Sequence, residues 1–172
     1  MAVYALGDRV PDIDPSAFVH PDATVIGSVT IGPESTVWPG VVLRGDYGEI
    51  RVGARTSIQD GSVVHATARH ATVIGDGCVV GHLAHLEGCT VEDDSLVGSG
   101  SVVLHRSVVG RGALVAAGAV VGNDVQVPPR AMALGVPAKM RLEAVAEGAH
   151  AGAAARYVAN GKRYRDELRR LS

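Results

Sequence analysis

The sequence predicts an all-β chain wound as a parallel β-helix of hexapeptide repeats, followed by a C-terminal α-helix. Three observations carry that expectation. Stepping by six from Ile13 meets Val19, Val25, Ile31, Val37 and Leu43, and the same phase returns at Val91, Val97, Val103, Val109, Val115, Val121 and Val127. Two other slots are restricted as well. The residue after the apolar one is glycine at Gly32, Gly53, Gly75, Gly81, Gly98, Gly110 and Gly122, and the fourth after it is small, as at Ser35, Thr56, Ser62, Cys78, Ala84, Ser95 and Ala113. Finally, aromatics make up 3% of the 172 residues whereas valine occurs 28 times. An interior without rings is filled by small β-branched side chains, which suits a narrow, regular core. A period of six is neither helical nor the alternation of a simple strand. It fits short strands joined by tight turns, three faces to a coil of about 18 residues.

Along the chain, the first run spans residues 13 to 43. The step then survives with a shifted phase through Val52, Ile58 and Val64, and again through Ile74, Val80 and Leu86. The shifts fall at "GDYGE", at "HATARHA" and at one residue missing before Val91. After "LGVPAKMR" the pattern stops, so residues 1–136 are expected to form the β-helix and 137–172 a helical segment packed on it. Residues 141–171 are rich in the helix formers Ala, Leu, Glu and Arg, with a break expected at Gly148–Gly152 or at Gly161. The end, "KRYRDELRR", reads as a solvated helical face.

Composition narrows the function classes. A formal charge of −2 leaves no electrostatic footprint for nucleic acid or an anionic membrane. No apolar run approaches the roughly 20 residues of a membrane-spanning helix, and the opening "MAVYALGDRV" lacks the pattern of a secretory leader. Two cysteines, Cys78 and Cys89, make no disulfide framework, so a reducing cytoplasm is the expected compartment. Cys78 occupies a small-residue slot, which packing explains.

Chemistry is expected where the repeat is broken. His65 and Glu87 stand in the slot that is so often glycine, after Val64 and Leu86. Counting faces from Val64 returns to the same face at Leu86, so the two should stack in successive coils, about 5 Å apart. His82 lies on the preceding face near its edge. One chain does not easily bring it to the pair, but in a threefold assembly one subunit's face meets a different face of its neighbour, and a homotrimer follows.

The segments "VVLRGDYGEIRVGARTSIQDGSVVH", "IGDGCVVGHLAHLEGC" and "LGVPAKMR" resemble the gamma-class carbonic anhydrase family. The resemblance implies a left-handed β-helix, a homotrimer and metal sites at subunit interfaces, usually held by three histidines with Zn2+, although Fe2+ and Co2+ also serve. By position the first two ligands fall on His65 and His82. The third falls on Glu87, where typical members carry histidine; His85 is the alternative third ligand. Arg44 and Asp46 of "RGD", with Asp60 of "IQDG", resemble the charged set linking subunits around each site, and Gln59 resembles the residue that hydrogen-bonds the metal-bound water. The implied reaction is reversible hydration of carbon dioxide to bicarbonate by a metal-bound hydroxide. A Glu ligand in place of His lowers the site's positive charge, which predicts weak activity or an alkaline optimum. Two other readings stay open: coenzyme A-dependent acyl transfer, which many hexapeptide-repeat proteins perform, and a non-catalytic scaffold or assembly protein. His70 is expected on the surface of a short loop, and His20, His105 and His150 have no identifiable partner.

Overall fold

The structure, a computed structural model, describes residues 2–171. Its strands stack in parallel to make a left-handed β-helix of about seven turns with three faces. On the first face Phe18–Val19, Thr36–Val37, Ser57–Ile58, Val79–Val80, Leu96–Val97, Leu114–Val115 and Met132–Leu134 follow one another in register. The second carries Val63–His65, His85–Glu87, Val102–Val103 and Val120–Val121, and the third carries Thr72–Ile74, Thr90–Val91, Val108–Val109 and Gln126–Val127. Two longer strands, Thr24–Ile31 and Val42–Val52, run round the corner from the second face to the third.

Each slot of the repeat has a physical cause. The apolar residue points inward, and Val25, Leu43, Val64, Leu86, Val103 and Val121 are wholly buried down one face. The small residue sits at a corner, where its hydroxyl meets the glycine carbonyl of a neighbouring coil: Thr56 donates to Gly75 at 2.6 Å, Ser62 to Gly81 at 2.7 Å and Ser95 to Gly110 at 2.9 Å. The glycine is required by close approach. A Cβ on Gly81 would lie 2.7 Å from the Ser99 backbone nitrogen, and one on Gly98 only 2.5 Å from that of Ala117. Corner polar groups are thus satisfied without large side chains, which keeps the coil narrow.

The aromatic rings lie outside that core. Phe18, Trp38, Tyr157 and Tyr164 form one cluster between the first face and α1 (Ala151–Glu167), with Trp38 and Tyr164 edge-on at 5.0 Å. Gly161 lets the helix approach, since a Cβ there would lie 2.6 Å from Thr36 Cγ2.

The helix departs from the sequence expectation. It starts at Ala151, ten residues late, and runs through Gly161 without a break. Tertiary pairing overrides helix propensity in the preceding stretch. Lys139–Arg141 folds back antiparallel on Met132–Leu134, and the Val145 amide donates to the Arg130 carbonyl while its side chain is buried. Among the described residues no helix is long and apolar enough to cross a membrane.

Candidate metal centre

Register assembles the site. Arg44 pairs with His65, and His65 with Glu87, so three successive coils set these residues in one row of the second face. Because Val64 and Leu86 point inward, their neighbours point out. His65 bridges two carboxylates: Nδ1 stands 2.8 Å from Glu87 Oε1 and Nε2 3.0 Å from Asp46 Oδ1. Arg44 pairs with the other oxygen of Asp46. His85, two residues before Glu87 and so on the same side of the strand, places Nε2 3.4 Å from Glu87 Oε2.

Charge and burial tune this row. Burial opposes ionisation of Asp46, but hydrogen bonds from Arg44 and His65 outweigh it and hold the carboxyl below its ordinary range. Burial likewise opposes ionisation of Glu87, and His65, His85 and His105 outweigh it in the same direction. Both carboxylates are therefore ionised at neutral pH. The cysteines are not donors, because burial pushes the thiols of Cys78 and Cys89 up to about 12.

The remaining predicted residues lie elsewhere. Asp60 and His82 share the corner between the first and second faces, with His82 Nδ1 3.0 Å from Asp60 Oδ2. Gln59 is buried just before Asp60. The His82 side chain is 53% exposed, whereas that of His65 is 13% exposed. One chain therefore brings Arg44, Asp46, His65, His85 and Glu87 together and keeps Gln59, Asp60 and His82 apart from them. Among the described residues no three His, Cys, Asp or Glu side chains stand as a set able to hold a cation. Two imidazoles and a carboxylate are nonetheless a donor set that Zn2+ accepts. A single chain offers His65 and Glu87 side by side and turns His82 outward, so it supplies two of these three donors in one place and the third in another.

Sequence reasoning missed two neighbours of this site. His105 Nε2 lies 3.6 Å from Glu87 Oε1, and the ring of His70 packs against that of His105 with centroids 5.8 Å apart. His70 is thus not merely a surface loop residue, and His105 is not without company. The available signal was the pairing of Leu86 with Val103, which sets His105 over Gly88.

Comparison with known proteins supports this reading of the fold. The profile for bacterial transferase hexapeptide (six repeats) matches residues 71–105 and 88–123. Over 103 residues the chain is 48% identical to gamma carbonic anhydrase 1, mitochondrial, of Arabidopsis thaliana, covering 56% of this chain and 38% of that protein. It thus spans well under half of that relative. Two solved structures match along nearly the whole length. A Bacillus cereus protein described as a candidate acetyltransferase is 32% identical, with 96% of this chain and 97% of that one covered and a TM-score of 0.93. A hexapeptide transferase family protein from Anaplasma phagocytophilum is 34% identical, with 95% and 98% covered and a TM-score of 0.89.

The chain belongs to the hexapeptide-repeat family. The row of Arg44, His65 and Glu87 is built from the same strands that carry the repeat, so it is held on rigid elements and not on loops.

Proposed function

We propose that this chain is a gamma-class carbonic anhydrase-like metalloprotein that hydrates carbon dioxide reversibly at sites shared between the subunits of a homotrimer. The observation that carries the proposal is the register-paired His65 and Glu87, with Asp46 holding the far nitrogen of His65. The identity with a plant gamma carbonic anhydrase supports it. His65 and Glu87 of one subunit with His82 of the next would hold the cation, Zn2+ before Fe2+ or Co2+, and His85 is the alternative to Glu87. A divalent cation bound there supplies Lewis acidity and acidifies water near neutral pH.

The chain's own residues do the rest. Asp46, fixed by Arg44, accepts from His65 Nε2 and so orients the ring, leaving Nδ1 beside Glu87. Asp60 holds His82 in the same manner through Nδ1. Gln59, buried at the same corner, would hydrogen-bond the reacting oxygen once a neighbouring subunit closes the site.

Metal analysis of protein purified without chelators, paired with carbon dioxide hydration assayed from pH 6 to 10, tests the proposal. About one metal per chain with measurable hydration is expected, and Glu87→Ala should lose both. If Glu87→Ala keeps its metal while His85→Ala loses it, His85 is the third ligand. A second reading, coenzyme A-dependent acyl transfer, is favoured by the full-length likeness to the Bacillus cereus and Anaplasma phagocytophilum proteins. Metal-free protein that binds coenzyme A would establish that reading instead.

A further inference from the structure

Three imidazoles surround the Glu87 carboxylate, and the proposed function leaves one of them, His105, without a role. His65 meets Oε1 at 2.8 Å, His85 faces Oε2 at 3.4 Å, and His105, from the next coil, faces Oε1 at 3.6 Å. His105 is the unusual one. Its Nε2 is buried and has no hydrogen-bond partner. A buried nitrogen left unpaired is costly and calls for a reason. The nearest anion is Glu87 Oε1, the same oxygen that meets His65.

The surroundings hold the His105 ring in that place. His70 packs beside it, with ring centroids 5.8 Å apart and the planes tilted by 33°. Arg106 Nη1 stands 3.3 Å from His70 Nε2, and Arg106 is itself held by Asp124 through bonds of 2.6 and 2.8 Å. Room for both rings comes from Gly88, next to Glu87. A Cβ there would lie 2.7 Å from His105 Cδ2 and 2.8 Å from His70 Cβ. Gly88 adopts φ 61°, where a side chain is strained in any case.

We infer that His105, braced by His70, is a positioning residue for Glu87: it confines the carboxylate to the rotamer that meets His65. This rests on the proposed metal site and deepens it, because it says how a carboxylate can serve in a place where related chains use the rigid ring of histidine. Glutamate has one more rotatable bond than histidine and loses more freedom when it binds. Imidazoles on either side of Glu87 remove that freedom before a cation arrives, and pre-organisation of this kind raises affinity.

The test compares wild type, His105→Phe and His105→Gln. Phenylalanine keeps a ring beside His70 and removes the nitrogen, while glutamine restores an N–H donor. Zn2+ affinity measured by competition with a chromophoric chelator should fall about 10- to 100-fold in His105→Phe and recover in part in His105→Gln. Crystal structures of the metal-free proteins give the second readout: Glu87 should leave His65 in His105→Phe and stay in His105→Gln. Unchanged affinity, or Glu87 still on His65 in His105→Phe, overturns the inference. If wild type takes up no Zn2+, the metal reading fails, and the Glu87 rotamer alone decides the role of His105.

Discussion

At the residue scale, the proposed site turns on one residue. Glu87 stands where the family resemblance implies histidine, and it is ionised because His65, His85 and His105 outweigh the cost of its burial. A carboxylate ligand lowers the net positive charge at a cation by one relative to imidazole, so the cation acidifies water less. Glu87→His should therefore shift the pH optimum of carbon dioxide hydration downward and raise the rate near neutral pH. Hydration profiles of the two proteins loaded with the same metal check this, and an unmoved optimum refutes the charge argument. How far this site could be read from sequence follows from its geometry. The His65–Glu87 pair was legible because both residues occupy the glycine slot of a regular repeat. His105 was not, because it lies one place beyond the slot in a coil one residue short.

At the element scale, the coil was legible and the start of the helix was not. Val91 to Val127 keep one phase because each valine fills the same inward position, a local rule that repeats. Residues 141–150 obey no such rule: their propensity favours helix, but the strand Lys139–Arg141 and the docked Val145 take them. Two predictions concern α1. Gly161→Leu drives a side chain against Thr36, which cannot easily yield, since its hydroxyl is bonded to Ser57 and Trp38 at 3.0 and 3.1 Å. Overpacking of this kind should cost about 1–3 kcal/mol and alter the fluorescence of Trp38, the only tryptophan. Unchanged emission and melting temperature would count against the docking described. His150, at the N-terminus of α1, is the second case. Burial lowers its pKa from the ordinary 6.5, only partly offset by the nearby Ala113 backbone, and its Nε2 is buried without a hydrogen-bond partner. The unfolded chain then binds the proton more readily, so this contribution to stability is full above pH 6.5 and declines as pH falls toward the depressed folded value. Asp94, Glu147, Arg111 and Arg130 line the same cleft. Carboxylates with lowered pKa, such as Asp14, Glu34 and Asp124, lose their contributions only in more acid solution. Melting temperatures between pH 7 and 5 should accordingly fall less in His150→Gln than in wild type. Equal slopes would show that His150 does not carry the effect.

At the scale of the whole molecule, what matters is where the proposed donors face. His65 and Glu87 lie on the second face, and His82 projects from the corner before it, with Leu83 beside it 72% exposed and at φ 57°. A large apolar side chain in a left-handed conformation and mostly open to water gains little as a monomer surface, whereas a neighbouring subunit seated on that corner would cover it. If the site is shared, two defective chains can repair each other. A chain carrying His82→Ala still offers His65 and Glu87, and one carrying Glu87→Ala still offers His82. In a cyclic trimer containing both, one interface brings the intact halves together, so random mixing of equal amounts should restore about a quarter of the wild-type sites. Each variant alone should bind no Zn2+, and the mixture made by co-expression or by refolding together should bind it with near wild-type affinity at those restored sites. A site built within one chain predicts the opposite, since every chain in the mixture lacks one donor and no arrangement supplies it. Recovery of metal binding and hydration together, with the assembly confirmed as a trimer by sedimentation, therefore separates the shared site from any arrangement a single coil can make.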